Sequence, residues 1–152
     1  ANAQEEVKAR GAKTASKLIN PDLGIVVEGA PADDTPGMET STRQSVIGGG
    51  VQIRILDSSA ILNQRFNEFI IDLAQELKIP TQALIRLSGG TDANAIHLNN
   101  IGVPTCVLSV PVRYSHTSNS IMDINDFLNT KRLIVEMIKR LDKNTVKGFT
   151  DF

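Results

Sequence analysis

The sequence of 152 residues predicts an α/β fold, a layered sheet with helices on its faces. Three observations predict it. Two apolar runs, Leu23-Gly24-Ile25-Val26-Val27 and Val103 to Pro111, read as strands buried on both faces, as in parallel or mixed sheets. Leu62, Phe66, Phe69, Ile70, Leu73 and Leu77 recur at helical spacing, which is a core stripe. Strand-like and helix-like segments alternate along the chain, with no internal repeat and no low-complexity linker. The composition, 41% hydrophobic and 22% charged, is that of a globular domain, and the length suits one domain with a real core.

Taken in order, Ala3 to Val7 reads as the end of a strand that stops at Glu5 and Glu6. Neighbours on an extended segment face opposite ways, so the two acids could take separate tasks in one cleft. They read equally well as a solvated pair opening a helix. Residues 11–20 form a short helix stopped by Asn20-Pro21. The strand Leu23 to Val27 exits at Glu28, and open α/β sheets gather sites at such carboxyl ends. Residues 29–50 form a long loop with Asp33-Asp34-Thr35-Pro36-Gly37 and Gly48-Gly49-Gly50, and loops of this length often carry function. Val51 to Asp57 alternates as a strand, and a helix from Asn63 to Lys78 is closed by Pro80. Gln82 to Leu87 is a strand, and Ala93 to Asn99 a helix. Between them Gly89 and Gly90 either let backbone approach a ligand or form a tight turn with Asp92 as helix cap. Arg113 to Ser118 is polar loop beyond a strand end. Asp123 to Leu141 is the last helix, with Phe127, Ile134, Ile138 and Leu141 on one face, and the polar tail after Asp142 is expected to fray.

A net charge of −1 gives no electrostatic case for nucleic acid or an anionic membrane surface. No apolar run approaches the roughly 20 residues of a membrane span, and no signal peptide is visible. One cysteine excludes an internal disulfide; Cys106 sits in an apolar run and reads as a small buried hydrophobe, which suits a cytoplasmic protein. The chain begins without Met inside a structured-looking segment, so a fragment or a processed chain is expected.

Glu5, Glu6, Glu28 and His116 all fall at expected strand ends. Carboxylates and a neutral imidazole are the donors of zinc, cobalt or manganese sites. Such a metal polarises a scissile carbonyl and acidifies a bound water, while a free carboxylate passes the water's proton to the leaving amine. Taken singly, each residue has a plainer reading. Glu28 could pair with Arg10 or Arg113, Asp33 and Asp34 could form a turn beside Pro36-Gly37, and His116 could be a surface histidine. His97, within a short helix, reads as structural.

Together the motifs carry more. Gln4-Glu5-Glu6-Val7, Arg10-Gly11-Ala12, Val27-Glu28, Asp34-Thr35-Pro36-Gly37, Gly89-Gly90-Thr91-Asp92-Ala93 with Ala95-Ile96-His97, and Arg113-Tyr114-Ser115-His116 follow one another in the order found in the dinuclear-metal aminopeptidases. The chain resembles the carboxyl-terminal part of the catalytic domain of that family, which includes glutamyl, deblocking and tetrahedral (TET) peptidases. The resemblance covers nearly the whole chain, residues 1–152. It implies a three-layer α/β/α sandwich with a mixed sheet, zinc-peptidase-like and incomplete at the N-terminus. It implies a cytoplasmic hydrolase that removes N-terminal residues from peptide substrates, works as a homo-oligomer and uses two divalent metal ions, Zn or Co. By the same resemblance Glu5 is the general base, Glu6, Glu28 and His116 are metal ligands, and Gly89, Gly90 and Thr91 contact substrate. Glu28 stands where the family usually has Asp, and Lys8 where it usually has Gly. The family's further His, its bridging Asp and its inserted β domain lie upstream and are not in this sequence, so the chain alone is expected to hold metal weakly or not at all.

Two other readings compete. Relatives have carried endoglucanase or cellulase labels, and glycosidases use paired carboxylates; but the chain has no Trp and only 4% aromatics, few flat faces for sugar rings. The second is a non-catalytic fragment that self-associates through an apolar face left exposed where an upstream segment would pack.

Overall fold

The computed structural model describes residues 2–150, and of Thr42 the backbone only; the last two residues of the polar tail lie outside the described residues. Four strands form one mixed sheet in the order β1-β4-β2-β3. They are β1 (Gly24–Pro31), β2 (Val51–Leu56), β3 (Thr81–Ile85) and β4 (Thr105–Val112). β1 runs parallel to β4 and β3 parallel to β2, while β2 and β4 are antiparallel. β4 is central and buried on both faces, as its apolar run predicts.

Helices cover both faces. On one side α2 (Gln64–Glu76), α4 (Ile124–Arg140) and α5 (Lys143–Gly148) enclose the main core of Val51, Ile53, Phe66, Ile70, Leu73, Cys106, Leu108, Leu133 and Met137. On the other, α3 (Ala93–Ile96) closes a smaller core of Val26, Ala60, Leu62, Ala93 and Val107, with α1 (Arg10–Ile19) packed beside it. Among the described residues no helix is long and apolar enough to cross a membrane.

Several expectations change. Ala3 to Val7 is a series of turns, not a strand. Its backbone bonds fold back on themselves: Gly11 N–H donates to the Ala3 carbonyl at 2.9 Å and Ala9 N–H to the Glu5 carbonyl at 2.9 Å. Gln4, Lys8 and Ala9 adopt left-handed backbone, which no strand permits. β1 is an edge strand rather than a doubly buried one, and Val27 is 54% exposed. It also runs past Glu28, because β4 pairs with it as far as Pro31↔Val112, so Glu28 lies within the strand and not at its exit. The polar alternates of β2, Gln52 and Arg54, are as buried as its apolar residues. α3 is a single turn, shorter than expected.

α4 is partly rotated from the face its apolar pattern suggests: Ile134 and Leu141 pack half-buried against the main core, but Phe127 and Ile138 do not. Its buried residues are Asp126, Thr130, Leu133 and Met137, while Phe127 and Ile138 are 43% and 56% exposed. Asp126 sets this rotation. Its carboxylate, buried inside, accepts from Gly48 N–H at 2.7 Å and Gly50 N–H at 2.9 Å, pinning the start of β2 to the helix. The tail also departs from expectation. Asp142 accepts from Thr145 N–H at 2.8 Å and caps α5, and Phe149 stacks on Phe66 with ring centroids 4.7 Å apart.

The Asp126 pin is testable. Asp126→Ala leaves the buried Gly50 N–H unpaired and the exposed Gly48 N–H to solvent, and should lower unfolding free energy by about 1–3 kcal/mol in denaturant titrations, with Asp126→Asn, which keeps one acceptor, between it and wild type. A loss within about 0.5 kcal/mol for Asp126→Ala would remove the pin from the account.

Candidate metal and peptidase site

The loops at one end of the sheet enclose a cleft of about 670 Å³. Glu5, Glu6, Glu28 and His116 line it, and so do Gly89, Gly90 and Thr91. The sequence candidates therefore share one cavity, although they come from four stretches of chain.

Each is positioned by local chemistry. The left-handed residues around Glu5 and Glu6 wind the segment into a tight knot, and buried Ala9 and Ala12 anchor that knot to the fold. His116 and Tyr114 both adopt positive φ, 62° and 60°, in a loop closed by the two-way backbone pairing of Arg113 and Ile121. Strained backbone of this kind persists where surroundings enforce it. It brings His116 Nδ1 to 3.1 Å from Glu6 Oε1. Gly89 has φ +77°, and a Cβ on Gly90 would stand 2.8 Å from Ser59 Oγ, so this loop needs both glycines. The Thr91 hydroxyl accepts from Ala93 N–H at 3.1 Å and takes the place expected of Asp92 at the start of α3. Asp92 instead accepts from the Asn2 side chain at 2.7 Å and lines the cleft.

Glu28 pairs with neither Arg10 nor Arg113. Its partner is Arg54, with Nη2 3.0 Å from Glu28 Oε1 and Nη1 3.3 Å from Asp57 Oδ2. Arg113 is taken by Asp34 and Arg86 by Asp33, so the expected turn formers are ion-pair acids. Sequence reading missed Arg54 and Asp92. Arg54 could have been found as a charged residue in an otherwise strand-like run, and Asp92 by its place beside Gly-Gly-Thr.

Negative charge dominates. Burial, before the charges of Glu5, Asp57 and Asp92, raises the Glu28 pKa to about 7 even though Arg54 pulls it down. Glu5 is raised by burial first, then by Glu6 and Asp92, with His116 acting the other way. Glu5 thus feels both the Glu6–His116 pair and, across the cleft, Glu28.

The donor set fits a divalent metal in part. Two donors bound about 2.0–2.1 Å from a tetrahedral zinc stand roughly 3.3 Å apart, close to the Glu6–His116 separation. The buried Oδ1 of Asp92 has no hydrogen-bond partner, as expected of a site short of positive charge. Among the described residues no three His, Cys, Asp or Glu side chains gather closely enough to hold an ion by themselves.

The raised Glu28 pKa carries a pH dependence. The folded state holds this proton more tightly than the unfolded chain, so the stabilisation is complete below about 4.5 and lost as pH rises through about 7. Metal-free protein should lose about 2 kcal/mol between pH 5.5 and 8 in denaturant unfolding, and Glu28→Gln should flatten that slope. An unchanged slope in the variant would assign the loss elsewhere.

Comparison with known proteins gives the family of the chain. The model of the M42 glutamyl aminopeptidase family matches residues 1–133. A glutamyl aminopeptidase of Lactococcus lactis subsp. cremoris is 38% identical over 152 residues, 100% of this chain and 41% of that protein. Among solved structures, the TET aminopeptidase of a marine sediment archaeon of the Thaumarchaeota has a TM-score of 0.94 at 40% identity, covering 99% of this chain and 42% of that one. The TET1 peptidase of Pyrococcus horikoshii has a TM-score of 0.73 at 27% identity, covering 92% and 40%. The chain spans about two fifths of the length of these relatives. With the family match running through every motif from the glutamate pair to the histidine loop, the chain belongs to the M42 glutamyl aminopeptidase family.

Proposed function

We propose that this chain supplies part of the centre of a metal-dependent aminopeptidase, as the carboxyl-terminal portion of its catalytic domain. The observation that carries the reading is that Glu5, a partly buried acid, lines one cleft with Glu28 and the Glu6–His116 pair. Glu6, Glu28 and His116 are the metal ligands of the proposal, joined by donors from the part of the relatives that this chain does not span. Zinc or cobalt bound there would polarise the scissile carbonyl and acidify the attacking water.

The chain's own residues perform the proton chemistry. A general base works best with a pKa near the working pH, and burial moves Glu5 upward in that direction. Glu5 takes the water's proton and returns it to the departing amine nitrogen. Asp92, which is not among the proposed ligands, gives the cleft a carboxylate suited to a peptide's terminal ammonium. Gly89 and Gly90 leave backbone uncovered for the peptide to approach, while the Thr91 hydroxyl is already engaged and contributes shape.

Self-association belongs to the same proposal. The Pyrococcus horikoshii TET1 peptidase assembles into a tetrahedron or an octahedral shell. Ile124, Phe127, Leu128 and Ile138 leave an apolar stripe exposed on α4, which a further surface would cover. The single buried Cys106 suits a cytoplasmic setting. The glycosidase reading draws no support from the cleft, which no Trp or Phe lines.

Hydrolysis of aminoacyl p-nitroanilides by the full-length protein should stop after chelation and return with Zn²⁺ or Co²⁺. Glu5→Gln should lower kcat by about 10²–10⁴-fold with metal content by elemental analysis unchanged. Chelator-indifferent cleavage of β-glucan without peptidase activity would replace this reading with the glycosidase one.

A further inference from the structure

The cleft is acidic, yet a second hollow beside it is basic. This hollow, about 310 Å³, shares Lys8 and Asn94 with the cleft. Its remaining walls include Lys13 and Lys17, one turn apart on α1, and no acidic residue lines it. All three lysines are exposed, and among the described residues none is in an ion pair. The two arginines of the cleft are committed, Arg54 to Glu28 and Asp57 and Arg86 to Asp33, which leaves Lys8 at the junction. The floor of the hollow is fixed: buried Asn99 donates to the Ser16 carbonyl at 3.1 Å. Lys8 holds its junction position on left-handed backbone at φ 65°.

A chain of net charge −1 has thus separated its charges into adjoining acidic and basic compartments. A peptide with a free amino end is polarised the same way whenever it carries a carboxylate further along. We propose that the Lys8–Lys13–Lys17 hollow is a carboxylate-recognition subsite, which selects peptides whose ammonium end enters the acidic cleft while an acidic side chain or the terminal carboxylate enters the hollow. Matching charge in this way orients a ligand and speeds its capture. The inference rests on the peptidase reading for the identity of the ligand, but not for the existence of the basic hollow.

Binding without turnover tests it. In a Glu5→Gln background, calorimetry should find Ala-Glu-Glu bound about tenfold more tightly than Ala-Gln-Gln amide, which has no carboxylate, at low salt, since each exposed ion pair is worth a factor of about 1.5–5. The advantage should shrink severalfold at about 0.5 M NaCl. Lys8→Gln with Lys13→Gln and Lys17→Gln should abolish it, and Lys13→Glu with Lys17→Glu should favour Ala-Lys-Lys, a gain that a misfolded protein cannot produce. Glu-Ala-Ala amide, Ala-Glu-Ala amide and free Ala-Ala-Ala identify which carboxylate is read. Equal binding of the acidic and amide peptides, or a preference that survives the lysine changes, overturns the proposal. Carboxylate preference in a protein that cleaves no peptide would keep the hollow and sink the peptidase reading; cleavage without preference would do the reverse.

Discussion

The guanidinium of Arg54 is the constraint on which the cleft depends. It lies on β2 with its side chain only 5% exposed, so the charge must be met inside the protein. Glu28 meets it from β1, two strands away across β4, and Asp57 meets it from the end of its own strand. The second oxygen of Asp57 accepts from Ser59 N–H at 2.8 Å and Ala60 N–H at 3.0 Å and turns the chain. That turn sends Ala60 and Leu62 into the smaller core and sets Ser59 against Gly90. One cation therefore ties together β1, β2 and the glycine loop. Two acids meet one cation, and burial, which the single guanidinium does not offset, raises the pKa of Glu28 ahead of the neighbouring acids.

Where apolar pattern alone decides the structure, the sequence was legible. The α2 stripe is buried as spaced, with Phe66, Ile70 and Leu73 in the main core, and β4 is the doubly covered strand its run suggests. Where a polar group goes inside, the pattern misleads. Asp126 turns the start of α4 away from its apolar stripe, because its buried carboxylate and the interior Gly50 N–H need each other more than Phe127 needs cover. Gln52 and Arg54 break the in-out alternation of β2 for a similar reason: Gln52 donates to Ser45 Oγ at 2.9 Å, and Arg54 serves its two acids. Short-range signals were weakest at the ends. Ala3 to Val7 looks extended but closes on itself, and the Asp142 cap with Phe149 behind it makes a helix of a polar tail.

The site was legible as a set of residues but not as a geometry. The ordered motifs named residues that line one cleft. No spacing could say that Glu6 and His116, far apart in sequence, stand 3.1 Å from each other. Nor could it show that Thr91 spends its hydroxyl on a backbone N–H, or that Asp92 leaves the cap to face the cavity. Long-range partner choice, as in Glu28 with Arg54, depends on strand order, which a local reading does not contain.

The lone thiol has a use that follows from its position. Cys106 lies on the central strand with no exposure, and burial raises its pKa, so the reactive thiolate is suppressed while the sheet is intact. An alkylating reagent reaches it only when the helices over the main core lift from β4. Its labelling rate thus counts openings of the main core rather than motions of the surface loops.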